Sequence, residues 1–167
     1  MVTKHYGERT TEALQYNIRG WLTSKESIPF KMQLHYENPQ AGATACYNGN
    51  VSEWAWQQGT NAEQLYGFTY DGVNRLKETA QYQKNGTSWS PSVNANVEKN
   101  LTYDRNGNIL TLQRIGNGNL VDNLLYTYAG NRLTSLQETV RTSLPEDIYL
   151  PGSTPTARMN TIRTGIS

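Results

Sequence analysis

The sequence is poor in several features that usually mark a function. Its 167 residues include one cysteine, Cys46, and two histidines, so no internal disulfide can form and a zinc site has too few ligands. Fifteen Lys and Arg, scattered singly, nearly balance fourteen Asp and Glu, which argues against a nucleic-acid partner. No apolar run approaches the length that spans a bilayer, and the first residues lack the apolar segment of a signal peptide. We therefore expect no metal, cofactor, nucleic acid or membrane span.

Tyrosine, glycine and asparagine are plentiful instead. There are eleven Tyr but two Phe, and fourteen Gly, with a mean hydropathy of −0.71. Such a chain buries aromatic rings while their polar ends stay available for hydrogen bonds, and it turns often. The composition favours an all-β fold.

A short pattern recurs along the chain, in which a tyrosine is followed by a turn and then by an aliphatic residue. Its five repeat tyrosines are Tyr16, Tyr47, Tyr70, Tyr103 and Tyr128. Long and short spacings between them alternate. We therefore predict one antiparallel β-hairpin per repeat, with connections of changing length.

Residues that tolerate a positive φ stand four positions after three of these tyrosines. They are Gly20, Asn74 and Gly107, and a hairpin loop of three to five residues needs one residue in the left-handed conformation. Asp71 and Asp104 directly follow their tyrosines, where a carboxylate can accept backbone N–H groups. These residues are predicted to be structural turn residues.

The last repeat is one residue shorter than the others. It offers Gly130 and Asn131 as a tight two-residue turn. Before this turn Leu124, Tyr126 and Tyr128 alternate with other residues, as expected for a strand with one covered face.

Three regions lie outside the hairpin pattern. Residues 39–46 and 84–100 are polar or small and indicate looping or extended connections, and one turn of helix is possible at 62–65. From 140 onward the alternation ends. The prediction is an N-terminal extension at 1–12, a hairpin region at 13–139 and an irregular or disordered tail at 140–167.

Three segments of the chain resemble a known family. "YDGVNRL", "YDRNGNIL" and "YAGNRL" are similar to the YD (Tyr-Asp) repeats of RHS-repeat proteins, and the resemblance extends from about Tyr16 to Gln137. It points to large surface or secreted proteins of Bacteroidetes-type bacteria. In that family, consecutive hairpins form a curved strip of sheet that closes into a shell, and the shell of polymorphic toxins encloses a C-terminal effector.

The resemblance implies a non-catalytic repeat scaffold, part of a larger extracellular or cell-surface protein. The family's self-cleaving core does not carry over, because the tail holds only Asp147 and no matching aspartate string. Five hairpins cannot close a shell, so both edges of the strip stay open, and open edges recruit other strands. We expect the partners to be the remainder of an RHS protein and further copies of the chain, through edge pairing or hairpin exchange.

An enzyme has little support in the sequence. Cys46 with His5 or His35 is conceivable as a thiol nucleophile and base, but a half-buried cysteine and two surface histidines account for these residues better. Of the four aspartates, Asp71 and Asp104 already have turn roles. We expect no catalytic residues.

Tryptophans offer an alternative function. Trp54 and Trp56, two positions apart on a predicted strand, share a face, and neighbouring indoles can stack on sugar rings. Trp89 can join them from its loop. This predicts a carbohydrate-binding or adhesion module, against the simpler interpretation that the indoles pack within the sheet.

Overall fold

The computed structural model describes residues 2–6 and 10–140, and these residues are all-β, with no helix among them. There are twelve strands: β1 Val2–Tyr6, β2 Thr10–Tyr16, β3 Leu22–Glu26, β4 Phe30–His35, β5 Glu53–Gln58, β6 Gln64–Tyr70, β7 Leu76–Asn85, β8 Ser88–Pro91, β9 Val97–Tyr103, β10 Ile109–Gly116, β11 Asn119–Ala129 and β12 Arg132–Glu138.

Strands that follow one another in sequence pair antiparallel in space. β1 to β8 form one sheet in chain order, and β9 to β12 form a second sheet, also in chain order. Neither sheet closes into a barrel. The prediction of an all-β fold of consecutive antiparallel hairpins is confirmed, with two sheets where one strip was expected.

The two sheets meet where β9 runs beside β7. The N–H of Glu98 donates to the Thr79 hydroxyl at 2.8 Å, and that hydroxyl lies 3.1 Å from the Glu98 carboxylate. Next to them, Ser92 donates its N–H to the carbonyl of Gln81 at 2.9 Å. Polar contacts therefore continue the strip across the junction, and Thr79 is buried there.

The best-covered part of the sheet is one face of β5 and β6. Ala55 and Leu65 pair across these strands and are 1% and 0% exposed. The loop at 36–52, between β4 and β5, lies over the neighbouring residues Glu53 and Gly67 of the same face. A Cβ atom added to Gly67 would stand 3.3 Å from the Tyr82 ring and 3.4 Å from the Cβ of Ala43 in that loop, so the loop and the ring both pack closely against the strand at this glycine.

Two regions between the predicted hairpins differ in the structure from what the sequence predicts. The expected turn of helix at 62–65 is wrong, because β6 begins at Gln64 and pairs with β5. The stretch 84–100 is also more than a connection, since β7 continues to Asn85, β8 follows at Ser88 and β9 starts at Val97. Gly86, with φ of 61°, turns the chain between β7 and β8. Residues 39–46 contain no strand.

The ends of the chain bear on the predicted division into regions. The boundary placed after residue 12 falls within β2, and the residues before it include β1, so the hairpins start earlier than expected. The predicted tail lies outside the described residues, except for residue 140.

Candidate functional site

Three of the predicted turns share one geometry. The residue after each repeat tyrosine accepts, through its carbonyl oxygen, a hydrogen bond from the N–H group three positions later, at 3.0–3.2 Å. That later residue has a positive φ in each case: 77° at Gly20, 68° at Asn74 and 88° at Gly107. A backbone of this hand is open to glycine and asparagine at low cost.

A side chain reinforces each of these turns. Oδ1 of Asn17, Asp71 and Asp104 accepts the backbone N–H groups two and four positions later, at 2.8–3.0 Å. The predicted aspartates thus lie where the pattern placed them. Asn17 has the same role although only its neighbour Gly20 was singled out, and asparagine after a tyrosine was the available signal.

These hydrogen bonds shift the acidity of both aspartates. The backbone N–H of Arg75 is the main cause that holds the pKa of Asp71 below its usual range, with help from the Arg75 side chain. For Asp104 the side-chain amide of Asn108 is the main cause of the lowered pKa. A general acid at neutral pH needs the opposite shift. Both carboxylates are therefore suited to holding a turn and poorly suited to proton donation.

The two-residue turns follow standard hairpin chemistry. Gly130 has φ of 61° and lies with Asn131 between the paired residues Ala129 and Arg132, the arrangement of a type II′ turn. Between β10 and β11, Asn117 and Gly118 both have positive φ, 50° and 76°, as in a type I′ turn. That second turn was missed, although an Asn-Gly pair between alternating strands is its usual signal.

Side-chain contacts connect neighbouring turns into one line. We call residues 17–21, 47–51, 71–75, 104–108 and 130–131 the turn row. The amide of Asn48 donates to Oδ1 of Asn74 at 2.6 Å, Arg75 donates through Nη1 to the carbonyl of Asp104 at 3.0 Å, and Asn108 donates to Oδ1 of Asn131 at 3.1 Å.

The first two members of the turn row also touch. A Cβ atom added to Gly49 would stand 3.4 Å from the Trp21 ring. Arg75 strengthens the middle of the row, because its Nε lies 2.7 Å from Oδ2 of Asp71 and its guanidinium lies 4.6 Å from the centre of the Tyr103 ring. Every repeat identified in the sequence thus contributes one turn to a single line of contacts.

The hydroxyls of two repeat tyrosines bond to the preceding unit. Tyr70 donates to the carbonyl of Val51 at 2.8 Å, and Tyr103 donates to the carbonyl of Leu76 at 2.6 Å. Burial raises the pKa of both phenols. The accepting residue is the last one of the preceding turn in the case of Val51, and the first one after the preceding turn in the case of Leu76.

The predicted repeat tyrosine Tyr47 has different surroundings from the others. Tyr47 ends no strand, lies in the loop at 36–52 and is 68% exposed. Tyr36, directly after β4, takes the corresponding place and donates to the carbonyl of Leu22 at 2.8 Å. The loop separates this tyrosine from its turn, which hid the relation in the sequence. Tyr16, at the end of β2, is 46% exposed, and Tyr128 lies half-buried on β11.

The predicted glycan-stacking residues do not form one surface. Trp54 and Trp56 share a face of β5, with ring centres 4.8 Å apart, and Trp56 stacks on Tyr66 at 5.2 Å. Trp89 lies opposite Lys84 on β7, and the strand registers place Lys84 on the other face of the sheet. Trp89 therefore cannot join the other two indoles, which are half-buried against each other and against Tyr66.

The residues considered for nucleophilic catalysis are not arranged for it. The Cys46 thiol donates to the carbonyl of Thr44 at 3.6 Å, and burial raises its pKa, whereas a reactive thiol has a lowered pKa. Burial also lowers the pKa of His35, against the opposing charges of Glu53 and Glu63. His5 lies on β1, with two strands between it and β4. Within residues 2–6 and 10–140 no group of three or more His, Cys, Asp or Glu is placed to hold a metal ion.

Glu53 is a buried residue that the sequence reasoning did not identify. Its carboxylate is 0% exposed and accepts the backbone N–H groups of Ala41 at 2.9 Å, Ala43 at 3.1 Å and Gln40. Three donors from one loop converge on one carboxylate and hold the loop at 36–52 over the sheet. An acidic residue at an inward position of the strand "EWAWQQ" was the only local sign.

No family model matches the chain, and no curated protein matches it. The described residues also include no helix that is long and apolar enough to cross a membrane.

Proposed function

We propose that this chain is a non-catalytic β-hairpin scaffold, and specifically a stretch of YD repeats from a larger RHS-type surface or secreted protein. The observation that carries the proposal is the turn row. Three of its five turns have the same hydrogen-bond pattern, and contacts join each turn to the next, which is the behaviour of a structural unit made to be added in series.

The strip as described has free ends at which the series can continue. β1 and β12 each pair with one neighbour only. A further hairpin beside either strand would find unpaired backbone groups. In the proposed parent protein such hairpins complete a β-shell that encloses or displays a C-terminal effector, and in the isolated chain the edges pair with another copy.

Several features support a structural role over a catalytic one. The carboxylates that sequence reasoning could offer for acid–base chemistry, Asp71 and Asp104, hold turns and have lowered pKa values. Asp122 is paired with Arg114 at 2.9 Å. The polar groups with the densest hydrogen bonding thus serve the backbone of the repeats.

Two measurements test the proposal together: whether the protein is exposed on the surface of intact cells, and whether the chain is part of a much larger protein. Intact cells that produce the protein are treated with protease, and the released peptides are identified by mass spectrometry, while an antibody against residues 10–140 is used on immunoblots. We expect peptides from β2 to β12 in the released fraction and a band far above 18.8 kDa. A single band near 18.8 kDa, protected in intact cells, would overturn the proposal.

The edge-pairing part has its own measurement. Light scattering of the purified chain over a hundredfold range of concentration should show a mass that rises above that of one chain. A sharp monomer at every concentration would remove self-association from the proposal and would leave the repeat scaffold in place.

A further inference from the structure

A cavity of about 550 Å³ lies over β2, β3 and β4, beside the start of the loop at 36–52. Gln15, Ser24 and Gln33, which pair directly across the three strands, form a straight row in its lining. The volume lies within the range of ordinary small-ligand sites, roughly 300–1,000 Å³. The cavity is on the sheet face opposite to Trp54 and Trp56, because Gln33 pairs with Ala55, the residue between them.

The side chains of this row have unused hydrogen-bonding capacity. None of the three forms a side-chain hydrogen bond to another described residue, whereas Gln57 and Gln81, elsewhere on the sheet, each bond to a backbone group. An amide offers two donors and an acceptor, and a hydroxyl offers one donor and two acceptor lone pairs. A row of amide, hydroxyl and amide groups is therefore open to a ligand that carries both donors and acceptors.

The charged groups around the row are already neutralised. Lys31 pairs with Glu26 at 2.6 Å, and Glu37 pairs with Arg19. Burial lowers the pKa of His35, which leaves this ring uncharged at neutral pH. A charged ligand would find no unpaired counter-charge in this lining, so the cavity favours a neutral one.

An extended peptide is also disfavoured as the occupant. Peptides that bind to sheets usually add a strand at a free edge, where backbone N–H and C=O groups are unpaired. β2, β3 and β4 each have a strand on both sides. The groups that remain available in the cavity are side chains, which suit the hydroxyls of a small polar molecule.

We propose that the cavity binds a neutral polyhydroxylated ligand, a short uncharged glycan, through Gln15, Ser24 and Gln33. This binding site goes beyond the scaffold function and does not depend on it. It also differs from a site based on stacked tryptophans, because it lies on the opposite face and recognises the ligand by hydrogen bonds.

The test uses the full chain on an array of neutral and acidic oligosaccharides. The strongest neutral oligosaccharide on the array is then titrated by calorimetry against the wild-type chain and the Gln15→Ala/Gln33→Ala double variant. Loss of two hydrogen bonds should weaken binding by about tenfold or more. Gln83→Ala is the matched control, since Gln83 is an exposed glutamine on the sheet face opposite to the cavity. The Gln83→Ala variant should bind the oligosaccharide as tightly as the wild type does.

A second measurement needs no variant at the site. In the wild-type protein, the side-chain amide resonances of Gln15 and Gln33 should shift during the titration, and that of Gln83 should stay in place. An array without neutral binders, or with acidic binders only, would overturn the proposal. So would binding that survives in the double variant and is lost in Trp54→Ala, because the aromatic face would then be the site.

Discussion

The hydroxyl of Tyr103 gives the sharpest test of the contacts between repeats. Tyr103→Phe removes one atom, the oxygen that donates to the carbonyl of Leu76 at 2.6 Å, and keeps the ring under the Arg75 guanidinium. A hydrogen bond of this kind contributes about 0.5–1.5 kcal/mol, and an acceptor left without a partner costs more where water cannot reach it. Leu76 is half-buried, so water can partly replace the hydroxyl. We expect a loss of about 1 kcal/mol.

The measurement is equilibrium unfolding in urea, followed by tyrosine and tryptophan fluorescence and by circular dichroism. The midpoint should fall while the slope stays constant, because the surface exposed on unfolding is unchanged. A thermal scan should show a decrease of about 3–5 °C for a domain of this size. Tyr47→Phe is the matched control, because Tyr47 is 68% exposed and forms no hydroxyl bond to the described residues. Its unfolding free energy should change by less than about 0.5 kcal/mol.

Equal effects of the two substitutions would contradict this expectation, since the loss should come from the bond of Tyr103 and not from the removal of a phenol in general. An unchanged midpoint for Tyr103→Phe would do the same. The equivalent changes at Tyr36 and Tyr70 should add to the first, because the three bonds share no partner.

Three further predictions concern the turns and the loop at 36–52. Gly107→Ala should cost about 1–2 kcal/mol in chemical unfolding because of its φ of 88°, while Gly72→Ala, with no neighbour within 4 Å and no positive φ, should cost almost nothing. The folded-state pKa values of Asp71 and Asp104 lie below their unfolded values, so the stability that these groups add is complete above the unfolded pKa and is lost as pH falls through the folded pKa. As the pH is lowered from 5 to about 2, the free energy of unfolding in urea melts should therefore fall less for the Asp71→Asn/Asp104→Asn protein than for the wild type. An equal fall in the two proteins would contradict this. Glu53→Gln should destabilise by about 2–4 kcal/mol, because the amide keeps one oxygen for Ala41 and Ala43 but turns an NH₂ group toward the N–H of Gln40, and the charge that strengthens all three bonds is lost. Faster proteolysis within 36–52 should accompany the change.

The turns were predictable because their chemistry is local. A positive φ at Gly20, Asn74 and Gly107 follows from the residue type and its distance from a tyrosine, and a carboxylate that caps its own turn needs no partner from afar. The alternation around them fixed the all-β class for the same reason. Asn117 and Gly118 could have been recognised on this basis as well.

The remaining features depend on which strands become neighbours. Tyr36 is recognisable as a repeat tyrosine only when its hydroxyl is seen to reach Leu22, across the pairing of β3 with β4. Trp89 was grouped with the other indoles because the sequence does not show how the strands between Trp54 and Trp89 pair, and this pairing decides on which face of the sheet Trp89 lies. The burial of Glu53 likewise depends on a loop that folds back over its strand. Long-range pairing decides all three, and one sequence contains no direct record of it.

The distribution of burial explains why a longer strip is the proposed context. Only seven hydrophobic residues of the described chain are buried, although it forms twelve strands. The most deeply buried of them, Ala55 and Leu65, are on the same face as Glu53, which holds the loop at 36–52. Beyond these seven, the large hydrophobic residues of strands β2 to β12 are half-buried or exposed, and Tyr126 and Leu136 are half-buried. A sheet face gains stability when apolar surface leaves water, at about 25 cal/mol per Å². Hairpins added at β1 or β12 extend the turn row without a new kind of contact, and a strip that curls as it grows supplies the missing cover from its own repeats.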